Sequence, residues 1–191
     1  MEKIPTIFKR DWEGNRGVIN EYVIDPKNIQ HAVATEKLDG MNVRITVRNH
    51  IAVRLEKRRN PSKLQKAQGI KDPWYVDAIE GPEDKWLFSA LKFTDLSDIP
   101  DGEWSGEALG EHIQGNPLGL TNEIIMFFSL GKVPVFENVP TTFDELKVWL
   151  PLQESKFGKG KIEGIVWHSS SGLMAKIKTK DFKSPSSPED K

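Results

Sequence analysis

The chain has 191 residues, of which 37% are hydrophobic and 29% charged, and it contains no cysteine. These values predict a soluble globular protein and exclude a disulfide framework or a thiolate metal site. No apolar run is long enough to span a membrane, and the polar first residues do not resemble a signal peptide. We therefore expect a cytoplasmic protein with one domain over residues 1–183, no membrane contact and a disordered tail over residues 184–191.

The net charge of −1 conceals a strong asymmetry along the chain. Cations are concentrated between residues 44 and 71 and again between 156 and 183, while acidic residues dominate from 77 to 111. A single run of charge usually forms a solvated face. Two basic segments on either side of an acidic one nevertheless indicate a surface that faces a polyanion.

The first half of the chain predicts a short strand, a hairpin and a helix. The segment before His31 shows no clear pattern, and residues 31–34 are short and apolar. Alternating residues over 42–48 and 51–55, joined at Asn49-His50, predict the hairpin. Asn60 as N-cap and Pro61 in the first turn predict a helix over 62–68 that ends at Gly69. Residues 73–84 are expected to be loop around a short amphipathic piece.

The second half predicts two further strands, a helix and a closing hairpin. Thr142 and Glu145 form a capping-box pattern that predicts a helix start. On that helix Phe143, Leu146 and Leu150 share one face. The predicted strands cover residues 103–110, 124–128, 164–167 and 173–178, the last two joined by a turn at 169–172.

Lys37 stands at the centre of the most informative stretch, Thr35 to Asn42. It follows a predicted strand and directly precedes an Asp39-Gly40 turn, so its side chain is positioned rather than merely solvated. An amine close to other cations loses its proton more easily and can act as a nucleophile. Taken alone, Lys-x-Asp-Gly is more often an ordinary turn preceded by a surface lysine, because short motifs recur by accident.

Further segments extend this pattern in a fixed order. Arg58 follows the hairpin, Glu107 lies in Gly-Glu-Ala-Leu-Gly, and Glu163 opens Glu-Gly-Ile-Val. Lys176 and Lys178 alternate on the last predicted strand, so both point to one face. From Thr35 to Phe182 this set resembles the covalent nucleotidyltransferase superfamily of ATP-dependent RNA and DNA ligases and mRNA-capping guanylyltransferases. It is most similar to phage-type RNA ligases that seal nicks in duplex RNA.

The resemblance implies an α+β fold of antiparallel sheets flanked by helices, a ligase adenylation domain with no appended OB-fold. It also implies that Lys37 attacks the α-phosphate of ATP and forms a lysyl-adenylate, which Lys176 and Lys178 support by stabilising negative charge. Glu163 would bind Mg²⁺ or Mn²⁺ as an oxygen ligand. The aromatic that stacks on the base is Phe128, with Phe127 as the alternative. The remaining expected nucleotide-binding residues are Glu36, Leu38, Asn42, Arg58 and Glu107.

The expected function is ATP-dependent joining of 5′-phosphate and 3′-hydroxyl RNA ends, as in RNA repair. The expected nucleic-acid contacts are Arg59, which is also the alternative to Arg58 in the arginine motif, and Lys63, Lys66 and Lys71. A partner protein that replaces the domain normally following the paired lysines is a further expectation. Two alternatives remain open: a nucleotidyltransferase that uses GTP or does not seal, and a non-catalytic nucleotide- or RNA-binding module. A placed nucleophile favours catalysis, because binding alone does not require one.

Overall fold

The structure is a computed structural model that describes residues 3–129 and 131–183, so the expected tail over 184–191 lies outside the described residues. The fold is α+β, as expected, with antiparallel sheets and short helices. The strands are β1 (Phe8–Arg10), β2 (Val18–Tyr22), β3 (Val33–Glu36), β4 (Met41–Arg48), β5 (Ile51–Arg59), β6 (Trp74–Asp77), β7 (Gly102–Leu109), β8 (Ile124–Phe127), β9 (Val135–Phe136), β10 (Gly164–His168) and β11 (Met174–Lys178). The helices are α1 (Lys63–Ala67), α2 (Lys85–Phe93) and α3 (Phe143–Trp149).

The chain divides into two compact units, and it passes between them more than once. One, the five-stranded unit, consists mainly of Asp39–Val133 and Phe157–Gly160. The other, the four-stranded unit, consists mainly of Ile4–Leu38, Pro134–Lys156 and the chain from Lys161 onward. The first unit begins directly after the Lys37-Leu38 dipeptide, so the predicted nucleophile motif is divided between the two.

The five-stranded unit is built on one antiparallel sheet with the order β6-β5-β4-β7-β8. Val43, Ile45 and Val47 on β4 are fully buried, whereas the intervening residues are partly exposed. This alternation is that of a sheet with one face in a core. Leu87 and Ala90 of α2 belong to the same buried cluster, so α2 covers this face.

The four-stranded unit has a sheet with the order β11-β10-β3-β9 and a separate β1-β2 ribbon. Its core contains Ile165 and Trp167 of β10 and Ile177 of β11. Leu146 and Leu150 are fully buried in the same core, and Phe143 packs against it. The shared apolar face predicted for this helix is therefore confirmed. In the part of the chain that the structure describes, no helix is long and apolar enough to cross a membrane.

Several local predictions are confirmed and others are wrong. Both hairpins form, β4 with β5 and β10 with β11. Helix α1 is capped by Ser62 in a capping box with Gln65, rather than by Asn60, because the Ser62 hydroxyl can accept from the Gln65 N–H. Thr142 caps α3 without a side-chain bond to the backbone, since its hydroxyl donates to the Glu145 carboxylate instead. Residues 73–84 contain β6, not only loop.

Candidate active site

Strand register brings Lys37, Glu163 and Lys178 together within the four-stranded unit. Strand β10 lies between β3 and β11, with Glu36 opposite Ile165 and Gly164 opposite Lys178. The Lys37 N–H donates to the Gly164 carbonyl oxygen over 2.9 Å, which extends this ladder by one residue. Residues at three neighbouring strand ends therefore meet at one edge of the sheet.

Glycine at position 164 is required by this close pairing. A Cβ there would lie 2.0 Å from the Ile177 carbonyl oxygen and 2.8 Å from the Lys178 Cα. Both obstacles are backbone atoms, which cannot turn away as a flexible side chain can. The Glu-Gly dipeptide thus lets β10 and β11 approach closely enough for Glu163 and Lys178 to meet.

The Glu163 carboxylate is shared by two lysines. One of its oxygens accepts from the Lys37 amine, and the other accepts from the Lys178 amine over 2.5 Å. Lys180 lies farther away, at 3.7 Å, and is mostly exposed. The Glu163 side chain is 8% exposed, against 20% for Lys37 and 23% for Lys178. The cluster is a buried anion between two partly buried cations.

The charge state of Glu163 follows from these neighbours. Burial would raise the pKa of its carboxyl group, but the Lys37 charge and the hydrogen bonds from Lys178 and Lys37 outweigh burial. The pKa of Glu163 therefore lies below its usual value, and the group is ionised at neutral pH.

Lys176 occupies the same face of β11 as Lys178. Ala175 and Ile177 on either side of it are fully buried, while both lysines are partly exposed, as the alternation predicted. The Lys176 backbone is fixed on both sides, since its N–H donates to the Pro5 carbonyl and its carbonyl accepts from the Ile7 N–H. Two cations thus stand on one rigid strand face.

Three other predicted residues share one face of the sheet in the five-stranded unit. Asn42 on β4 lies opposite Glu107 on β7, and Arg58 on β5 lies opposite Tyr75 on β6. The Tyr75 hydroxyl donates to Asn42 Oδ1 over 2.7 Å, which confirms the common face. No hydrogen bond or ion pair of the Arg58 guanidinium is found within residues 3–129 and 131–183, so this cation is available to a ligand.

The Glu107 carboxylate is held by the backbone of Gly40. Glu107 Oε1 accepts from the Gly40 N–H over 3.1 Å. A Cβ at Gly40 would lie 2.2 Å from the Ala108 carbonyl oxygen, so a side chain at this position would push β4 away from β7. Gly40 therefore allows the backbone approach that orients Glu107.

A polar cavity of about 350 Å³ opens at the end of this sheet. Its lining includes expected nucleotide-binding residues, one expected nucleic-acid-binding residue and others that the sequence did not single out. The predicted lining residues are Asn42, Arg58, Arg59 and Glu107, and the unpredicted charged ones are Lys57, Glu83 and Asp84. Its volume falls within the range of small-ligand sites.

Lys57 is the functional candidate that sequence reasoning missed. Its side chain is 7% exposed, and its amine donates to Asp84 over 2.6 Å and to Glu83 over 2.7 Å. Burial opposes the charge, but the hydrogen bonds to Asp84 and Glu83 outweigh it and raise the pKa of Lys57. Only the fold reveals this, because the acidic partners lie 26 and 27 residues away.

The other predicted nucleotide-binding residues differ in accessibility. The Glu36 carboxylate is buried and accepts from the Ser155 hydroxyl and the Lys156 N–H. Leu38 is also buried, so a contact with a ligand falls to its backbone. Of the two aromatic candidates, Phe127 is 1% exposed in the core, whereas Phe128 lies just after β8 and is partly exposed. Only Phe128 therefore has an aromatic face to offer.

The basic segment over residues 44–71 is partly neutralised within the fold. Arg44 and Arg54 are paired with Glu56, and Lys57 and Arg59 with Glu83. The three lysines predicted to contact nucleic acid are exposed, and none has an ion pair in the described part of the chain. Lys63 and Lys66 lie on α1, and Lys71 lies beyond its end.

A divalent cation would find one suitable protein ligand near Lys37. No group of three or more histidine, aspartate or glutamate side chains with metal-binding geometry occurs within residues 3–129 and 131–183. A single buried carboxylate, Glu163, nevertheless fits Mg²⁺, which is often held by one or two carboxylates together with water and substrate phosphates.

The α+β fold agrees with membership of an RNA ligase family, which a comparison with family models identifies. The family model for RNA ligase 1 matches residues 87–185, a little over half of the chain. The chain therefore belongs to the RNA ligase 1 family. No curated protein sequence matches it.

Solved structures of a Naegleria gruberi RNA ligase are similar in fold. The structure with PPi is 15% identical, with a TM-score of 0.53, and covers 94% of this chain and 62% of its own. A mutant with ATP and Mn is 16% identical, with a TM-score of 0.50, and covers 95% and 62%. A mutant with AMP and Mn is 14% identical, with a TM-score of 0.51, and covers 81% and 52%. The chain thus spans less than two thirds of the length of these proteins.

Proposed function

We propose that this chain is an ATP-dependent RNA ligase that joins 5′-phosphate and 3′-hydroxyl ends through a covalent adenylate on Lys37. The observation that carries the proposal is the Lys37–Glu163–Lys178 cluster. A binding module gains nothing from a half-buried lysine held beside a buried carboxylate, whereas a nucleophile must be held in place. Membership of the RNA ligase 1 family supports the same assignment.

In the proposed reaction the Lys37 amine attacks the α-phosphate of ATP and pyrophosphate leaves. In the ion pair the amine is protonated, so it must lose a proton before it can attack. Glu163, itself bound by Lys178, holds the Lys37 side chain in place for the attack. Lys176 and Lys178 then face the negative charge that develops on the phosphate oxygens.

A divalent cation fits at Glu163 and would supply Lewis-acid stabilisation of the phosphate oxygens. The protein's part is to keep the carboxylate ionised, which the lowered pKa of Glu163 ensures. Mg²⁺ or Mn²⁺ is proposed, and the similar ligase structures with ATP and Mn support a divalent metal.

We propose the remaining contacts to the nucleotide according to how exposed each predicted residue is in the structure. Phe128 is partly exposed and is suited to stack on the adenine base, while Arg58 and Glu107 are suited to phosphate and ribose hydroxyls. Asn42, beside Glu107, adds an amide, although its oxygen is already held by Tyr75. Glu36 and Leu38 complete the proposed set, Leu38 through its backbone because its side chain is buried.

Exposed lysines support RNA as the second substrate. Lys63, Lys66 and Lys71 carry no ion pair in the described residues and are proposed to contact the phosphate backbone, as is Arg59. Nicked duplex RNA is the proposed form of the substrate, because the order of the motifs resembles that of phage-type RNA ligases that seal such nicks.

The test is a two-stage assay with the purified chain. In the first stage the protein is incubated with magnesium and each labelled NTP in turn, then separated on a denaturing gel. ATP should label the protein more strongly than GTP, and the bond should be labile to acid and stable to base, as expected for an amine–phosphorus linkage.

In the second stage the labelled protein is chased with nicked duplex RNA or the matching DNA. Loss of label together with a sealed RNA strand supports the ligase. Retained label without sealing, even with cell extract as a source of a partner protein, favours a nucleotidyltransferase that does not seal. No label from any NTP contradicts the covalent mechanism.

A further inference from the structure

Lys57 and Arg59 form a cationic pair on one face of β5, separate from the face that carries Arg58. Residues two apart on a strand point the same way, so Lys57 and Arg59 share a face. Lys57 lies opposite Val43, whose side chain is in the core, whereas Arg58 lies opposite Tyr75 on the other face. This pair is therefore distinct from the set formed by Asn42, Arg58 and Glu107.

One carboxylate oxygen occupies the space between the two cations. Lys57 Nζ and Arg59 Nη2 both lie 2.7 Å from Glu83 Oε1. The oxygen thus accepts two charge-assisted hydrogen bonds, as a phosphate oxygen does in a binding site. All three residues line the 350 Å³ cavity, which leads to this position from solvent.

The two acids that meet Lys57 are held very differently. Asp84 is 4% exposed, and its second oxygen accepts from the Ile79 N–H over 2.9 Å, so it is fixed at the start of α2. The Glu83 side chain is 73% exposed, and within residues 3–129 and 131–183 only Lys57 and Arg59 bind it. Asp84 alone neutralises Lys57, so the fold does not depend on Glu83.

Charge in the cavity is balanced while Glu83 is in place. Lys57, Arg58 and Arg59 carry three positive charges, and Glu83, Asp84 and Glu107 carry three negative ones. If Glu83 turns out to solvent, the balance becomes positive by one, and both Lys57 and Arg59 gain a free donor. The Arg59–Glu83 pair is exposed, and exposed ion pairs contribute little to stability, while Lys57 keeps Asp84 as its partner, so an incoming phosphate can compete with Glu83 for both cations.

We propose that Lys57 and Arg59 form a phosphate-binding site and that Glu83 is a built-in counter-ion that the phosphate displaces. The ligand is a phosphate group, carried either by pyrophosphate or a nucleotide or by the 5′ end of a polynucleotide. The choice of a polynucleotide rests on the proposed function, whereas the anion site itself does not.

The test measures anion binding without catalysis, in a Lys37→Ala background where no lysyl-adenylate can form. Glu83→Gln removes the counter-ion. Glu80→Gln is the matched control, because Glu80 lies on the same turn, is exposed and has no ion pair within the described residues. Both variants change the net charge equally, so long-range electrostatics cancel between them. Thermal unfolding confirms that each variant is folded.

Isothermal titration uses three probes: inorganic pyrophosphate, a 5′-phosphorylated RNA oligonucleotide and its 5′-hydroxyl counterpart. We expect Glu83→Gln to bind the matching phosphate probe roughly three- to tenfold more tightly than Glu80→Gln. Adding Arg59→Ala should abolish that gain. A gain for pyrophosphate alone identifies a nucleotide source, and a gain for the 5′-phosphorylated but not the 5′-hydroxyl RNA identifies a polynucleotide end.

Equal affinities of Glu83→Gln and Glu80→Gln for all three probes would overturn the proposal. So would weaker binding by Glu83→Gln, because it would mean that Glu83 supports the site rather than occupying it. Because these variants lack Lys37, the binding result does not depend on adenylation. A negative binding result would therefore not contradict the proposed adenylation, and a negative adenylation assay would not contradict the phosphate site.

Discussion

Replacing Glu163 by glutamine removes the negative charge that Lys37 and Lys178 share. Glutamine keeps the size and one acceptor oxygen, but two ammonium groups then face a neutral amide. A hydrogen bond to a charged group contributes about 1.5–3 kcal/mol. The two lysines are 20% and 23% exposed and can turn partly to water. We therefore expect the free energy of unfolding to fall by about 1–3 kcal/mol at neutral pH.

The effect should depend on pH in a defined direction. In the folded protein the pKa of Glu163 lies below its ordinary value of 4.5. Such a carboxylate stabilises the fold at pH values above its unfolded pKa, and the contribution is lost as the pH falls through the folded pKa. The difference between parent and Glu163→Gln should thus be full at neutral pH and shrink below about pH 4.5.

Urea unfolding followed by circular dichroism, at neutral and acidic pH, measures this difference. Glu154→Gln is the control, because Glu154 forms an exposed pair with Lys161 and should change the unfolding free energy little. Equal stability of Glu163→Gln and the parent at neutral pH would refute the reasoning, as would a difference that persists unchanged in acid.

Three further outcomes are expected. Gly164→Ala should lower the unfolding free energy by about 1–3 kcal/mol and reduce adenylation, because the new Cβ would lie 2.0 Å from a backbone oxygen. Gly81→Ala is the control and should do neither, because a Cβ at Gly81 would have no atom within 4 Å. Asp84→Asn should destabilise the fold by about 3 kcal/mol in urea unfolding, because it leaves the buried Lys57 charge without its fixed partner. A variant with alanine at Lys63, Lys66 and Lys71 should adenylate normally. In RNA binding, its slope of log affinity against log salt concentration should become shallower by about one unit for each phosphate contact that is lost. An unchanged slope would show that these lysines only face solvent.

Local sequence signals predicted the elements that carry the Lys37–Glu163–Lys178 cluster. The alternation of Lys176 and Lys178 and the turn before them predicted the β10–β11 hairpin, and the structure confirms both. The apolar run before Phe128 predicted β8 to within a residue. In each case the signal lies within a few residues of the element, so neighbouring side chains are sufficient to reveal it.

Features that depend on distant residues could not be predicted. Trp74–Asp77 forms an edge strand only because β5 is there to pair with it, and the adjacent Pro73 suggested a loop. The segment before His31 forms β1 and β2 with little alternation, since only Phe8 and Val18 of these strands are buried. Lys57 likewise became a functional candidate only because the fold places the acidic residues of the turn before α2 next to it.

The central claim is tested most directly by locating the covalent adenylate. The parent protein is incubated with α-labelled ATP and magnesium, digested, and its labelled peptide identified by mass spectrometry. We predict that the label lies on Lys37, that Lys37→Ala shows none, and that Lys9→Ala, which alters an exposed lysine paired with Glu21, is labelled like the parent. Label on another residue, or undiminished labelling of a folded Lys37→Ala protein, would contradict the assignment.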